Sequence, residues 1–394
     1  MIKLFAFIFL FVCAGFRCAY AEEAAGWGEQ KMNTDTPLQG MRGTPANLPD
    51  ISVIGVLNGY VNDDKTDTGR DRFEFEEIET AFQGYIYPEM RADVFLALHK
   101  HDTEYEAEIC EAKVSFLRLI GGLAAETGKI HVNFGKLNKI HTHHRPMIDQ
   151  PGAITNFFGA HGLVGQGANT SYLFPLPIFV QIEAGAWNVS SHHHNHAEGE
   201  VETAQITDIN GNTINVAVYQ QQECTEFSLA DKVYTGRIKT SIAPGSESEL
   251  EIGSSFARGK GAHYEEHLDK ATVIGADFTF RSWPTAYHRW IFQNEWMYLT
   301  REVPAGKLYR HGLYSFLNYR FSKFWDLGGR FDYTEGAFPV NSIERAWSGI
   351  ISYHMTETSA VRLQYKKRNV ESKDIDEGWL QVTFGIGPHS HELE

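Results

Sequence analysis

The stretch GKLNKIHTHHRPMIDQPGAITNFFGAHGLVGQG, residues 135–167, interrupts a sequence that is otherwise regular. Glycine, proline, asparagine and histidine recur in it at irregular spacing, and it shows neither the period of two of a strand nor the period of 3.6 of a helix. On both sides of it, apolar and polar residues alternate for most of the chain. Structureless segments of roughly thirty residues are uncommon inside compact domains unless they are functional. We therefore predict that residues 135–167 form a long functional loop between strands.

The alternation on either side of this stretch predicts β-strands whose connections are short and long in turn. The long connection of residues 190–228 carries a predicted hairpin of residues 204–209 and 213–218 around an Asn-Gly pair. Short turns on one side and longer loops on the other are typical of an even-numbered outer-membrane β-barrel. We predict an all-β, transmembrane antiparallel barrel over residues 50–388, with residues 135–167 as its third outer loop, folded inward to narrow the bore. About sixteen barrel strands are expected: 50–61, 73–87, 91–101, 105–118, 123–134, 168–174, 178–189, 229–243, 249–258, 271–282, 287–300, 308–321, 324–333, 345–355, 359–370 and 375–386.

The two faces of each predicted strand differ in polarity. Within residues 287–300, an aromatic set alternates with a polar set: Trp290, Phe292, Trp296 and Tyr298 against Arg289, Gln293 and Glu295. A charge that faces lipid near the bilayer midplane costs roughly 2–4 kcal/mol, so we expect the charged face to point at water. Sixteen strands enclose a bore too wide for side chains to fill, and an aqueous passage is therefore expected.

Nine charged residues are the candidate lining of this passage: Arg237, Lys239, Arg289, Glu295, Arg330, Asp332, Arg362, Lys366 and Arg368. One interpretation is a pore whose charged walls sort solutes. The other is a set of wall salt bridges that only solvates the interior. The sequence leaves both open and does not fix ion selectivity, because basic residues are concentrated in the late strands while the outer loops are acidic.

The first candidate histidine cluster belongs to the predicted inward loop. It consists of His141, His143 and His144, which stand close to Arg145 and Asp149. At a constriction these histidines could coordinate a metal ion or make conductance depend on pH, because histidine titrates near neutrality. The alternative is that they anchor the loop to the wall.

The second histidine cluster lies in the other long connection. His192, His193, His194 and His196 are followed there by Glu198. Imidazoles this dense beside a carboxylate suit a divalent metal such as Zn²⁺. The alternative is a flexible polar loop tip. Zn²⁺ is thus a candidate ligand, and no cofactor is required.

The beginning of the chain predicts export. Residues 1–21 combine Lys3, a short apolar run and an Ala-Tyr-Ala site, the pattern of a cleaved signal peptide. A membrane-spanning helix is too long for this run, which also contains Arg17. Residues 22–49, rich in glycine, proline, threonine and asparagine, predict a periplasmic lead-in, and residues 389–394 a C-terminal tail. Only two cysteines, Cys110 and Cys224, follow residue 21, which leaves a single bridge open in an oxidising periplasm.

Composition narrows the partners and the chemistry. The chain has 35 basic and 50 acidic residues and a formal net charge of −15, so nucleic acid is not an expected partner. An aromatic content of 13% with a negative mean hydropathy suits a barrel with a lipid band and a wet interior, although a soluble all-β protein could share both. Glycine-rich phosphate loops, CxxC pairs and HExxH motifs do not occur, and no Ser/His/Asp constellation stands out. We predict no catalytic residues and no enzyme.

Four sequence segments carry a resemblance to a known family. They are PDISVIG at 49–55, GK-x₄-FGK-x-N-x₂-H-x-H at 128–143, FFG-x-HGL at 157–163 and VTFGIGPHSH at 382–391. In these segments the chain resembles a family of porin-like Gram-negative outer-membrane proteins that is distantly similar to phosphate-selective porins. Some members are described as zinc-regulated receptors or porins, so the resemblance implies a link to zinc. A lead-in of under thirty residues is too short for the plug of a gated receptor.

These observations lead to one functional prediction and two alternatives. We predict a porin-like channel in the outer membrane of a Gram-negative bacterium, in contact with lipid bilayer and lipopolysaccharide, for passive diffusion of small polar solutes or ions. A homotrimer is expected by analogy with porins. The first alternative is a zinc-binding uptake protein that uses its histidine-rich loops. The second is a closed structural or adhesion barrel.

Overall fold

The computed structural model describes residues 49–67, 69–101, 104–190, 202–207, 213–218, 227–261, 269–303, 306–337, 342–371 and 373–388. The predicted signal peptide, nearly all of the predicted lead-in and the predicted tail lie outside these ranges. The domain boundaries therefore stay predictions. Within the described ranges, no helix has both the length and the apolarity to cross a membrane.

Eighteen strands run through the described residues. The first nine are β1 (Asp50–Asn62), β2 (Arg72–Tyr87), β3 (Met90–His101), β4 (Glu104–Phe116), β5 (Leu123–His131), β6 (Val164–Leu173), β7 (Phe179–Val189), β8 (Glu202–Thr207) and β9 (Thr213–Val218). The other nine are β10 (Leu229–Gly245), β11 (Ser248–Gly261), β12 (Asp269–Ser282), β13 (Arg289–Val303), β14 (Gly306–Arg320), β15 (Trp325–Glu335), β16 (Ile343–His354), β17 (Ala360–Val370) and β18 (Lys373–Ile386). The described helical segments are α1 (Gly152–Phe158) and two 3₁₀ turns, Ile120–Gly122 and Thr142–His144.

Sixteen of these strands form one closed antiparallel barrel. Strands adjacent in the chain pair with each other, except that β7 pairs with β10 because β8 and β9 form a separate two-stranded sheet. The ladder between β1 and β18, from Val53 opposite Ile386 to Asn62 opposite Glu377, closes the ring. Backbone polar groups in lipid must be satisfied within the protein, and a closed ring leaves no open strand edge. The predicted transmembrane barrel of about sixteen strands is confirmed, and so is the predicted hairpin.

The prediction that residues 135–167 are structureless throughout is wrong in two places. β6 begins at Val164, so the last four residues of the stretch belong to a strand, and α1 lies in its middle. A side chain at Gly165 or Gly167 would collide with the neighbouring strand around Trp187, so these glycines allow close strand packing but hide the alternation. The helix has seven residues, fewer than two turns, which is too short to establish a period.

The outer and inner faces of the wall differ as the sequence predicts. On β13, Trp290, Phe292 and Trp296 are 38–40% exposed on the outside, whereas Gln293 and Glu295 are 5% and 1% exposed on the inside. Outward apolar side chains also meet across neighbouring strands along the barrel. The outer surface is therefore the one that lipid covers.

Replacing Ile274 by arginine is expected to lower the free energy of unfolding by roughly 2–4 kcal/mol. The Ile274 side chain is 41% exposed on the outer face, near the middle of β12, so the variant would bring a charge to the lipid. Urea-induced unfolding of the protein in lipid vesicles measures the effect. The matched control Ile274→Leu keeps the surface apolar and should cost less than about 1.5 kcal/mol. Equal losses in the two variants would contradict the assignment of this face to lipid.

Candidate functional site

Residues 132–163, which we call the crossing segment, connect β5 to β6 and contact strands far from both. The backbone N–H of Gly135 donates to Oγ of Ser255 on β11 at 3.0 Å. On the same strand, Glu251 accepts from Nζ of Lys136 at 3.1 Å. In the ring, β6, β7 and β10 separate β5 from β11. The segment therefore leaves its own strands and runs along the inner face of the wall.

Asn138 fastens the base of the crossing segment. Its Nδ2 donates to the carbonyl oxygens of Val132 at 2.7 Å and Leu163 at 2.9 Å. Its Oδ1 accepts from the backbone N–H of Leu163 at 2.7 Å, and the N–H of Val132 donates to the carbonyl of Leu163 at 2.9 Å. One buried side chain thus joins the entry of the segment to its exit.

His141 connects the crossing segment to β2 and β4. Its Nδ1 lies 2.8 Å from Oε2 of Glu79, and its Nε2 lies 3.3 Å from Oε2 of Glu111. Burial disfavours the charged imidazolium, but hydrogen bonds to Glu111 and Glu79 outweigh burial and raise the pKa of His141 to about 10. A protonated His141 donates to both carboxylates, which gives it the anchoring role that the sequence left as an alternative.

Asp149 connects the crossing segment to the opposite part of the ring. Its Oδ2 lies 2.8 Å from Nη2 of Arg330 on β15 and 3.0 Å from Nζ of Lys366 on β17. Burial would raise the pKa of Asp149, but the positive charges of Arg330 and Lys366 hold it well below its usual range. The carboxylate is therefore ionised and fixes the segment to two wall strands.

The wall also holds the backbone of the crossing segment. Nη1 of Arg362 donates to the carbonyl of Arg145 at 2.7 Å, and its Nη2 donates to the carbonyl of His143 at 3.3 Å. The exposed His144 is next to this contact, with its ring 4.4 Å from the ring of His143. Arg362, predicted from sequence as pore lining, thus binds peptide groups of the segment.

A hydrophobic core fills the space between α1 and the wall. Ile154 and Phe157 are completely buried, and Phe158 is 3% exposed. The rings of Phe134 and Phe158 meet edge to face at 4.9 Å, and α1 contacts β14 and β15. Sequence reasoning missed this core, although Ile154, Phe157 and Phe158 have the i, i+3, i+4 spacing of one helix face.

Six of the nine predicted lining residues are at most 8% exposed: Arg237, Glu295, Arg330, Asp332, Arg362 and Lys366. Arg237 forms a bidentate pair with Asp277 at 2.7 and 2.9 Å. Glu295 accepts from the N–H of Lys136 at 3.2 Å. These contacts favour the salt-bridge interpretation for the six residues, because their charges are used by the wall and the crossing segment.

The other three predicted lining residues are more accessible. Nζ of Lys239 lies 3.6 Å from Glu183, and Arg368 contacts Glu377 at 2.8 Å. Arg289 lines a cavity of about 550 Å³ near the short turns. That cavity is rich in basic groups: Arg145, Arg281, Arg289, Arg320, Lys323 and Arg362.

Two further cavities lie along β2 to β5. The first, of about 300 Å³, faces the long connections and is lined by acids, imidazoles and a thiol: Glu77, Glu79, His99, Glu108, Cys110, His131, His141 and His161. The second, of about 440 Å³, is closer to the short turns and has mixed charge: Arg91, Asp93, Glu111, Lys113, Glu126, Lys139 and His144. His131 and His141 line both cavities, so these two rings lie where the cavities adjoin.

Cys110 faces the interior because of a β-bulge that the sequence pattern does not reveal. Phe95 pairs with Glu111 and Leu96 with Ile109, so Cys110 is the extra residue on β4. A bulge changes the direction of a side chain, and here Sγ of Cys110 lies 3.2 Å from Nε2 of His99. The cysteine is free within the described chain, while Cys224 and the histidines His192, His193, His194 and His196 lie outside the described residues.

Solved structures with the same architecture are outer-membrane channels. No protein-family model matches the chain, and no curated protein matches its sequence. The anion-selective porin from Comamonas acidovorans aligns with a TM-score of 0.54 at 8% identity, over 86% of this chain and 100% of that one. The outer membrane channel DcaP of Acinetobacter baumannii aligns at 0.52 and 10% identity, over 86% and 97%. OmpT, an outer membrane protein of Vibrio cholerae in its trimer form, aligns at 0.52 and 8% identity, over 86% and 100%. The chain therefore has the barrel fold of outer-membrane porins.

Replacing Asp149 by alanine is expected to lower the free energy of unfolding by roughly 3–5 kcal/mol, because it removes one partner of a buried ion-pair network. Urea-induced unfolding in lipid vesicles measures the loss. The control Lys367→Ala breaks the pair with Asp374, whose side chains are 54% and 59% exposed, and should cost at most about 1 kcal/mol. A loss at Asp149 no greater than that at Lys367 would contradict the anchoring of the crossing segment.

Proposed function

We propose that the protein is a porin-like channel for passive diffusion of small polar solutes or ions. The observation that carries this proposal is a charged segment fixed across the interior of a closed transmembrane barrel. A polar interior gives water a path through the membrane, and a segment bound at several points of the wall sets the width of that path. The channel names of the solved structures with this fold support transport over catalysis, and we propose that the protein is not an enzyme.

The crossing segment is proposed as the constriction. It divides the interior into cavities of about 300, 440 and 550 Å³. Solutes that pass from the first to the second cavity would meet the imidazoles of His131 and His141. The same passage would bring them close to the carboxylates of Glu79 and Glu111.

The proposed location is the outer membrane of a Gram-negative bacterium, with lipopolysaccharide on the outer side. The aromatic outer face and the closed ring support this location, and so does the fold shared with outer-membrane proteins. A homotrimer is proposed because the OmpT structure of this fold is described as a trimer.

Purified protein in a planar lipid bilayer is expected to show discrete single-channel steps. The double variant Lys136→Ala/Asp149→Ala, which frees both parts of the crossing segment, should give larger or noisier steps because the segment then moves within the bore. Lys367→Ala serves as the control and should match the native protein. A barrel that shows no steps would support the closed structural or adhesion alternative and overturn the channel.

A second candidate function is zinc-binding uptake through the histidine-rich loop. The density of imidazoles at His192, His193, His194 and His196 supports it. The resemblance to a family with zinc-regulated members points in the same direction.

Replacing these four histidines by glutamine separates the two functions. Under the uptake proposal, Zn²⁺ accumulation by cells should fall while conductance for salt persists, because the loop captures the ion and does not form the bore. The measurements are cellular zinc content and single-channel conductance with and without Zn²⁺. Unchanged zinc content would leave passive diffusion as the function.

A further inference from the structure

Glu77, Glu79 and His143 meet beside the crossing segment. The two glutamates are two residues apart on β2, so both side chains face the interior, and His143 lies on the turn Thr142–His144. One ligand atom from each of the three side chains lies within 4.8 Å of the others. The three residues are 3%, 1% and 4% exposed. Two carboxylates and an imidazole, buried together, form a donor set for a metal ion.

The two carboxylates lack a permanent cation. Burial of an ionised carboxylate is costly unless positive charge is close to it. Within the described chain, every ion pair of Glu77 or Glu79 is to a histidine: His99 and His143 for Glu77, His141 and His143 for Glu79. Imidazole carries charge only when it is protonated. A bound divalent cation would supply the missing charge in full.

One oxygen of Glu79 is directed into the gap between the ligands. Its Oε1 is buried and accepts no hydrogen bond from any group that the structure describes. Nε2 of His143 lies 4.0 Å from this oxygen, beyond hydrogen-bonding distance. An acceptor left in this state is unfavourable, and a cation between Glu79 and His143 would satisfy it.

The other oxygen of Glu79 is already oriented. Oε2 accepts from Nδ1 of His141 at 2.8 Å, and His141 also contacts Glu111. Partners of this kind fix the orientation of metal ligands and keep them in place. His141 is therefore a positioning residue for the site, and Glu79 presents Oε1 to the ion.

We propose that Glu77, Glu79 and His143 bind one divalent transition-metal cation of the zinc and cobalt class. Mixed oxygen and nitrogen ligands favour this class over Ca²⁺ and Mg²⁺, which take oxygen ligands. Metal–ligand distances of about 2.0–2.2 Å require a small closure of the three side chains. Glu77 and Glu79 also line the 300 Å³ cavity, so a water molecule can take the fourth position and the ion can exchange.

The ion would join β2 to the crossing segment next to the contact of His141. Ligand binding to the folded state alone stabilises that state, so metal is expected to stabilise the barrel. The site does not depend on conduction. It can therefore be tested whether or not the barrel is an open channel.

The test uses Co²⁺ and Zn²⁺ on the full chain in detergent. The background variant carries glutamine at positions 192, 193, 194 and 196, so that the histidine-rich loop adds no binding. This variant is expected to bind one Co²⁺ per chain, seen as visible d–d bands that Zn²⁺ abolishes. Glu79→Gln and His143→Gln in this background should each weaken binding by roughly 100-fold or more. Zn²⁺ should raise the thermal unfolding midpoint of the background but not of these two variants.

The matched control is His354→Gln. It removes another imidazole bound to a wall carboxylate, Asp326 at 2.6 Å, and should leave Co²⁺ binding unchanged. If Glu79→Gln fails to refold to the strand content of the background, Glu77→Gln takes its place with the same expectation. The proposal is overturned if the background binds no Co²⁺, or if the folded ligand variants bind it as tightly as the background.

Discussion

Charges that face the interior of this barrel must be neutralised within it. The wall is closed by the β1–β18 ladder, so alternate side chains of every strand point away from lipid, and many of them are ionic. The crossing segment supplies partners for several of these charges, with Lys136 for the acid on β11, His141 for those on β2 and β4, and Asp149 for the bases on β15 and β17. The fold and the candidate site are therefore parts of the same electrostatic solution.

The regular part of the barrel could be predicted from the sequence because alternation is local. Each strand carries its own record of which face meets lipid, as Trp296 and Glu295 on β13 show. The pairing of inward charges could not be predicted in this way. Asp149 and Arg330 are 181 residues apart in the chain, and no local pattern in either segment names the other.

The candidate site was predicted in part. The histidines of the crossing segment were identified from their density, but the carboxylates that hold them lie on β2 and β4, where they look like ordinary inward positions. The bulge at Cys110 adds one residue to β4 and turns a thiol inward, which alternation alone assigns to the wrong face. At α1, the spacing of Ile154, Phe157 and Phe158 was visible, but it was too short to stand out from a glycine-rich stretch.

The far part of the crossing segment has a consequence for biogenesis. Asp149 finds its partners on β15 and β17, and Lys366 follows it by 217 residues. During synthesis and membrane insertion, the segment must therefore wait for the last quarter of the polypeptide before it can reach its final conformation. Asn138, whose partners are all within 25 residues, can close the base of the segment much earlier and keep it compact in the meantime.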